Sequence, residues 1–352
     1  APLDPAAPGR LFEVTVDQQW SPESAPEERP VARFLLGGDP EEALPAEEQG
    51  GARIGDASAS GDLPGGIAVG LAPGRQAVHL HPFLSTAPSR VVTMSAGGGT
   101  RMRSFRILEV AEGDPLPLDL GLLATYPREE WRQEEYELFS WSLYPEILLI
   151  DTVDYAFQAR MFKRLAFFVE KEGYRGRLLG NSELQSKHGW NAHNYRPQGL
   201  AAFYNAVADQ GFLLNREEEI LREILLEQEV IRRRSGDGTE RAGDPYEPGE
   251  GGILSVSQES WPVLRRLLIA HEAMHGIYYQ EPGFRDRVAT LWEAEFTEAE
   301  REFWRFFLGY MSYDPDDTYL MQNEMQAYLL QYSLATTPGY FPSRIAGRLR
   351  QR

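Results

Sequence analysis

Apolar positions early in the chain recur with the two-residue period of a half-buried strand: Phe12, Val14 and Val16 alternate with polar neighbours. Short β-branched runs follow at 31–36, 77–80, 90–94 and 104–110. Turn clusters separate them, among them Gly37-Gly38-Asp39-Pro40 and Ala96-Gly97-Gly98-Gly99. Short strands at this spacing predict an all-β, sandwich-like domain over 1–115. The acidic, Gly-rich tract 39–61 is expected to be a long exposed loop. His79 and His81 flank Leu80 on a predicted strand, so they share one face. Without an acidic neighbour in sequence, they are expected to face solvent.

The stretch 111–121, with Pro115 and Pro117, has the composition of a linker. Beyond it the apolar period lengthens to that of a helix. Helices are predicted over 128–140, 154–171 (with Asp154 as N-cap and Gly173 near the stop), 200–210, 217–234, 284–307 and 318–334. Short apolar runs at 146–150 and 253–257 predict strands. A polar, Gly-rich stretch at 235–252 is expected to be a loop. The fold class is therefore α+β in two domains: the β-rich one, and a mainly helical one over 116–352 with a short sheet.

Composition narrows the chemistry. The chain of 352 residues has 42% hydrophobic and 25% charged residues, as a folded protein does. A net charge of −18 argues against nucleic-acid or anionic-membrane partners. With no cysteine, thiol nucleophiles, Cys-ligated metals and disulfides are excluded. No run is long and apolar enough to span a bilayer. Because the sequence opens on Ala1 rather than Met, a removed signal peptide, and so a secreted or periplasmic location, is the expectation; a cytoplasmic one stays open.

One segment carries a metal signature. His271-Glu272-Ala273-Met274-His275 lies in an apolar helical run, with Leu264, Leu268, His271 and His275 on one stripe. Histidines four apart project from one face and can reach a single ion, here Zn2+. Glu272 is then placed to activate a water bound to that ion. A catalytic zinc takes a third protein ligand, and the chain offers two carboxylates for it. Glu281, six residues after His275, is where a metzincin-type ligand would fall. That geometry needs a glycine where this chain has Tyr278. Glu324 is favoured: it stands in Asn323-Glu324-Met325-Gln326-Ala327-Tyr328, where Leu320, Glu324, Ala327 and Gln331 share a helix face.

A His-Glu-x-x-His helix followed by a Glu-bearing helix resembles the gluzincins, the thermolysin-like branch of the zincin peptidases. The resemblance covers 252–332. It implies His271, His275 and Glu324 as zinc ligands, Glu272 as general base, and the strand at 253–257 as the edge strand above the cleft. In thermolysin-like enzymes an Asp four residues after the ligand Glu orients the first His; here Tyr328 occupies that place. A backbone carbonyl or an acid from 314–317 is expected to do this instead. Oxyanion stabilisation needs a further donor. His193, in the polar aromatic segment 188–195, and the tyrosines Tyr319 and Tyr328 are the candidates.

The function expected is hydrolysis of peptide bonds in peptide or protein substrates. Two alternatives accompany it. One is an inactive zincin scaffold whose β domain binds carbohydrate or protein; the other is an aminopeptidase whose acidic anchor comes from 293–302.

Overall fold

A computed structural model of the chain describes residues 9–18, 31–36, 67–70, 74–81, 92–96, 100–234, 245–332 and 339–341. The expected loop at 39–61, the turn cluster at 37–40, the glycines at 97–99 and most of the stretch 235–252 lie outside these residues. Helices and sheets are both present, so the chain is α+β. It forms two compact units. The first takes in Ala1–Leu122, Tyr126–Arg132 and Trp141–Leu143, and the second Leu123–Thr125, Gln133–Ser140 and Tyr144–Arg352. The division is thus not a single cut in sequence.

In the first unit lie strands β1 (Arg10–Gln18), β2 (Val31–Leu36), β3 (Ile67–Gly70), β4 (Gly74–Leu80), β5 (Val92–Ala96), β6 (Thr100–Glu109) and β7 (Leu116–Leu118). A short helix α1 (Leu120–Leu123) follows. β4, β1 and β6 form one antiparallel sheet in that order, and β3, β2 and β5 another. Phe12, Val14 and Val16 from the first sheet bury against Ala32 and Phe34 from the second, with Val78 and Leu80 completing the cluster. Alternation along β1 therefore does what its period requires, placing every second side chain in one core.

His79 and His81 depart from expectation: both are buried. His79 lies directly opposite Glu13 in the β1–β4 register. Its Nε2 lies 3.3 Å from Glu13 Oε2, and its Nδ1 lies 2.8 Å from Ser142 Oγ. The acidic partner comes from a paired strand far away in sequence, which is why no local pattern disclosed it. His81 Nε2 donates to Pro117 O at 2.9 Å. Burial pushes the His81 imidazole down to about 4 and lowers His79 as well.

The second unit holds strands β8 (Tyr136–Trp141), β9 (Tyr144–Thr152), β10 (His193–Tyr195), β11 (Ile231–Arg233), β12 (Tyr246–Pro248) and β13 (Gly252–Ser257). Its helices are α2 (Tyr155–Glu170), α3 (Asn181–Gln185), α4 (Pro197–Asp209), α5 (Arg216–Glu227), α6 (Pro262–Gln280), α7 (Pro282–Thr290), α8 (Glu298–Tyr310) and α9 (Thr318–Leu330). Its main sheet runs β10-β13-β9-β8, with β13 parallel to β9 and antiparallel to β10. All six residues of β13 are buried, as suits an inner strand covered on both faces. Gly251 leads into it with φ +77, and a Cβ there would sit 1.8 Å from Glu146 O, so only glycine fits.

α2 begins where its cap predicts: the Asp154 carboxylate accepts from Phe157 N at 2.6 Å. Its apolar face, including Phe157, Met161, Phe162 and Leu165, packs with Leu148, Ile150 and Leu200 in the unit's main core.

Three sequence expectations fail here for physical reasons. The stretch 128–140 is a 3-10 turn (Arg128–Glu130) followed by β8, because residues 137–141 are buried on both faces and leave no helical stripe. The helix expected over 217–234 stops at Glu227, and the chain turns into β11. The helix expected over 284–307 is two helices. A π turn (Leu291–Glu295) ends the first, and Thr297 with Glu300 forms a capping box that starts the second.

Among the described residues no helix is long and apolar enough to cross a membrane.

Candidate metal centre

α6 carries the histidine pair and is anchored at its first turns. Arg265 on α6 grips Asp151 on β9 through two hydrogen bonds, Nη1 to Oδ1 at 2.9 Å and Nη2 to Oδ2 at 2.5 Å, with both side chains buried. Arg265 Nη2 also donates to Leu123 O at 3.0 Å, and Gln258 Nε2 donates to Asp151 Oδ2 at 2.8 Å. This fork fixes the rotation of α6 against the sheet, and with it the direction of the residues about two and three turns further on.

From that face His271 and His275 project together, their ring centroids 4.8 Å apart and nearly perpendicular. α9 packs along α6 and delivers Glu324 between them. Glu324 Oε2 lies 3.6 Å from His271 Nε2, and Oε1 lies 3.8 Å from His275 Nε2. All three residues are buried, and their ligand atoms fall within 4.8 Å of one another. Tetrahedral ligands at zinc bond lengths stand about 3.3–3.4 Å apart, and the two histidine–Glu324 distances are within a few tenths of an ångström of that. His275 Nε2, Glu324 Oε2 and Glu272 Oε2 are buried without a hydrogen-bond partner. Buried polar atoms seldom stay unsatisfied, and two of these, on His275 and Glu324, belong to the group whose ligand atoms lie close together. The group can hold a metal ion.

The tautomer of His271 is set from behind. Its Nδ1–H donates to Gln331 Oε1 at 3.0 Å, leaving the Nε2 lone pair aimed at Glu324 and any ion beside it. Gln331 thus fills the role expected of a backbone carbonyl or an acid from 314–317. Of that acidic turn, Asp314 and Asp317 pair with Arg175 at 2.8 and 2.9 Å, and Asp317 also caps α9. Gln331 sits two turns after Glu324 on the face already evident in the sequence, so the signal was present.

Electrostatics follow from burial and proximity. Burial works against a charged His271, yet the Glu324 and Glu272 carboxylates outweigh it and raise the imidazole above its ordinary value. Burial pushes His275 down to about 4. Glu324 is lowered because the two imidazoles outweigh its burial. Burial pushes Glu272 up to about 8, against the pull of His271, and the Asn194 side chain hydrogen-bonds to its carboxylate.

Glu272 and His271 line a cavity of about 300 Å³ whose walls include Leu264, Leu268, Phe307 and Tyr328. Tyr328 packs edge-on against the His271 ring with centroids 4.7 Å apart, which places it at the centre. His193 is placed elsewhere: it stacks on Phe162 at 5.0 Å, and its Nδ1 shares a hydrogen bond with Tyr195 Oη at 3.0 Å. Burial pushes this imidazole down to about 3, with the Lys171 charge adding to the effect. Strand alternation explains the difference, since β10 turns His193 and Tyr195 to one face and Asn194 to the other. It is Asn194 that meets Glu272 and accepts from Tyr279 Oη. Tyr319 lies under Arg196, and Glu281 is exposed, accepting from Tyr144 Oη at 3.0 Å. The strand at 253–257 is an inner strand; the outer one is β10.

One cation near the centre carried no sequence signal. Lys171, directly after α2, is buried with its Nζ 2.6 Å from Glu170 Oε1 and 3.9 Å from the ring centroids of both Trp190 and Tyr313. Those two rings line the cavity, so a positive charge stands behind its wall and lowers Glu324 further.

Comparison of the chain with protein-family models, with curated proteins and with solved structures found no match.

Proposed function

We propose that the second unit is a zincin-like peptidase domain of the gluzincin type and that the first unit is a sandwich-like accessory domain. The observation that carries the reading is the convergence of His271 and His275, from α6, on Glu324 from α9, with Glu272 beside His271 in the cavity wall. The shared core of the two antiparallel sheets supports the sandwich-like layout.

Zinc held by His271, His275 and Glu324 would supply a Lewis acid and make a water more acidic at this site. The chain's own residues do the rest. Glu272, a buried carboxylate with one oxygen unpartnered, takes a proton from the attacking water and passes it to the leaving nitrogen. Asn194 holds the other side of that carboxylate, and Tyr279 holds Asn194, so the base is fixed in orientation. Gln331 fixes His271. Tyr328, against the His271 ring and in the cavity wall, is the candidate donor for negative charge on the carbonyl oxygen.

The test is the Glu272→Gln variant, assayed with a mixed peptide library and by metal analysis. One zinc per chain should remain while hydrolysis falls by about 10²-fold or more, the range for losing a general base. Hydrolysis at the wild-type rate in E272Q overturns the role given to Glu272.

A further inference from the structure

Two more cavities open at the other end of the same helix pair, where the C-terminal end of α6 meets the N-terminal end of α9. One, of about 530 Å³, is lined by Arg196, Tyr279, Arg285 and Tyr319 among others. The second, of about 490 Å³, shares Arg196, Tyr279 and Tyr319 with it and adds Asn194 and Glu170. They meet along a wall made by these shared residues.

Arginine in this acidic chain is usually paired. Arg175, which lines the second cavity, is neutralised by Asp314 and Asp317. Arg196 and Arg285 differ, because among the described residues neither has a carboxylate within ion-pair distance. Arg285 is held in place by Nη1, which donates to Tyr278 O at 2.8 Å and Tyr279 O at 2.7 Å. Its remaining N–H groups stay available. Arg196 lies with its guanidinium 4.0 Å from the centroid of the Tyr319 ring and also hydrogen-bonds to the Tyr319 side chain, contacts that orient the fork and use only part of its five N–H donors. The two acids of the first cavity do not serve these cations: the Glu250 side chain is 80% exposed and nearest to Arg232 at 4.0 Å, and Glu146 is exposed.

A net charge of −18 repels anions from most of this surface, so a concave site with two uncompensated guanidiniums is where one can be held. A planar fork matches a carboxylate in bidentate geometry. The cleft is also wired to the candidate centre. Tyr279 lines both cavities and donates to Asn194, and Asn194 hydrogen-bonds to Glu272.

We propose that the Arg196–Arg285 cleft is a carboxylate-binding subsite that holds an acidic group of the peptide substrate. This rests on the peptidase reading for the identity of the ligand, not for the cleft itself. The carboxylate can come from a free C-terminus or from an acidic side chain.

The experiment measures binding calorimetrically on zinc-loaded E272Q protein, in which the probe survives. Three forms of an N-acetylated alanine–leucine pentapeptide are compared: the free acid, the C-terminal amide, and an amide with glutamate in the last position. The expected result is at least tenfold tighter binding of one or both carboxylate-bearing forms than of the plain amide. Preference for the free acid identifies the C-terminus as the source, and preference for the glutamate amide identifies the side chain. In the R196Q variant this advantage should shrink to less than twofold, with R285Q acting in the same direction. Equal binding of all three forms, no measurable binding of any, or an advantage that survives in R196Q overturns the proposal. Hydrolysis by the wild-type protein is scored separately. A carboxylate preference without turnover sinks the peptidase reading and leaves the cleft, and turnover indifferent to carboxylate does the reverse.

Discussion

Removing the Gln331 side chain tests whether the centre is tuned from behind. In Gln331→Ala, the His271 Nδ1–H loses its acceptor at 3.0 Å, inside a site where the imidazole is buried. Leaving one buried donor unsatisfied costs about 1–3 kcal/mol. The ring is also freed to rotate or to carry its proton on Nε2, the nitrogen that faces Glu324. At about 1.4 kcal/mol per tenfold, zinc affinity should fall by about 10- to 100-fold, the range seen when a partner of a metal-bound histidine is removed. The assay is competition for zinc against a chromophoric chelator, with Gln331→Glu as the paired variant. A carboxylate at 331 keeps the acceptor and should restore or exceed wild-type affinity. An affinity for Q331A within twofold of wild type would falsify the claim that Gln331 sets the His271 tautomer.

Three further outcomes are expected. Arg265→Met leaves Asp151 charged and buried, and should destabilise the second unit by about 3–5 kcal/mol in urea unfolding, whereas the double variant with Asp151→Leu should recover much of the loss. The folded His81 pKa of about 4 lies below the unfolded value of 6.5, so its contribution is complete above pH 6.5 and is lost as pH falls toward 4. This amounts to about 2 kcal/mol by pH 5, read as faster amide exchange in β1 and β4; His81→Gln should flatten that part of the pH dependence, and an unchanged slope refutes it. Glu324→Gln removes a charged ligand, so zinc should dissociate at least 100-fold more readily, measured by the same chelator competition.

Much of this was legible in the sequence where a signal is local. Asp154 capping α2, the i, i+4 pair His271 and His275, and Glu324 on a face with Ala327 and Gln331 are all relations within one helix. What could not be read depends on partners brought together by tertiary structure. His79 looks solvated until β1 places Glu13 opposite it. β8 looks helical because both its faces are covered, which erases the alternation that identifies a strand. β10 is three residues long, too short for a period to show that Asn194, not His193, faces Glu272. The break between α7 and α8 is a different case: Thr297 and Glu300 spell a capping box that a long aromatic stripe outweighed.

The ligand arrangement makes the centre a clasp as well as a site. His275 and Glu324 stand at the two ends of a segment that contains all of α7 and α8. An ion joining them turns that segment into a closed loop, removing chain entropy from the unfolded state as a cross-link does. Closure entropy grows only logarithmically, about 0.6 kcal/mol for each doubling of length. The α7–α8 excursion can therefore lengthen or shorten at little cost to the clasp. The loss of the ion on chelation should be felt first in those two helices.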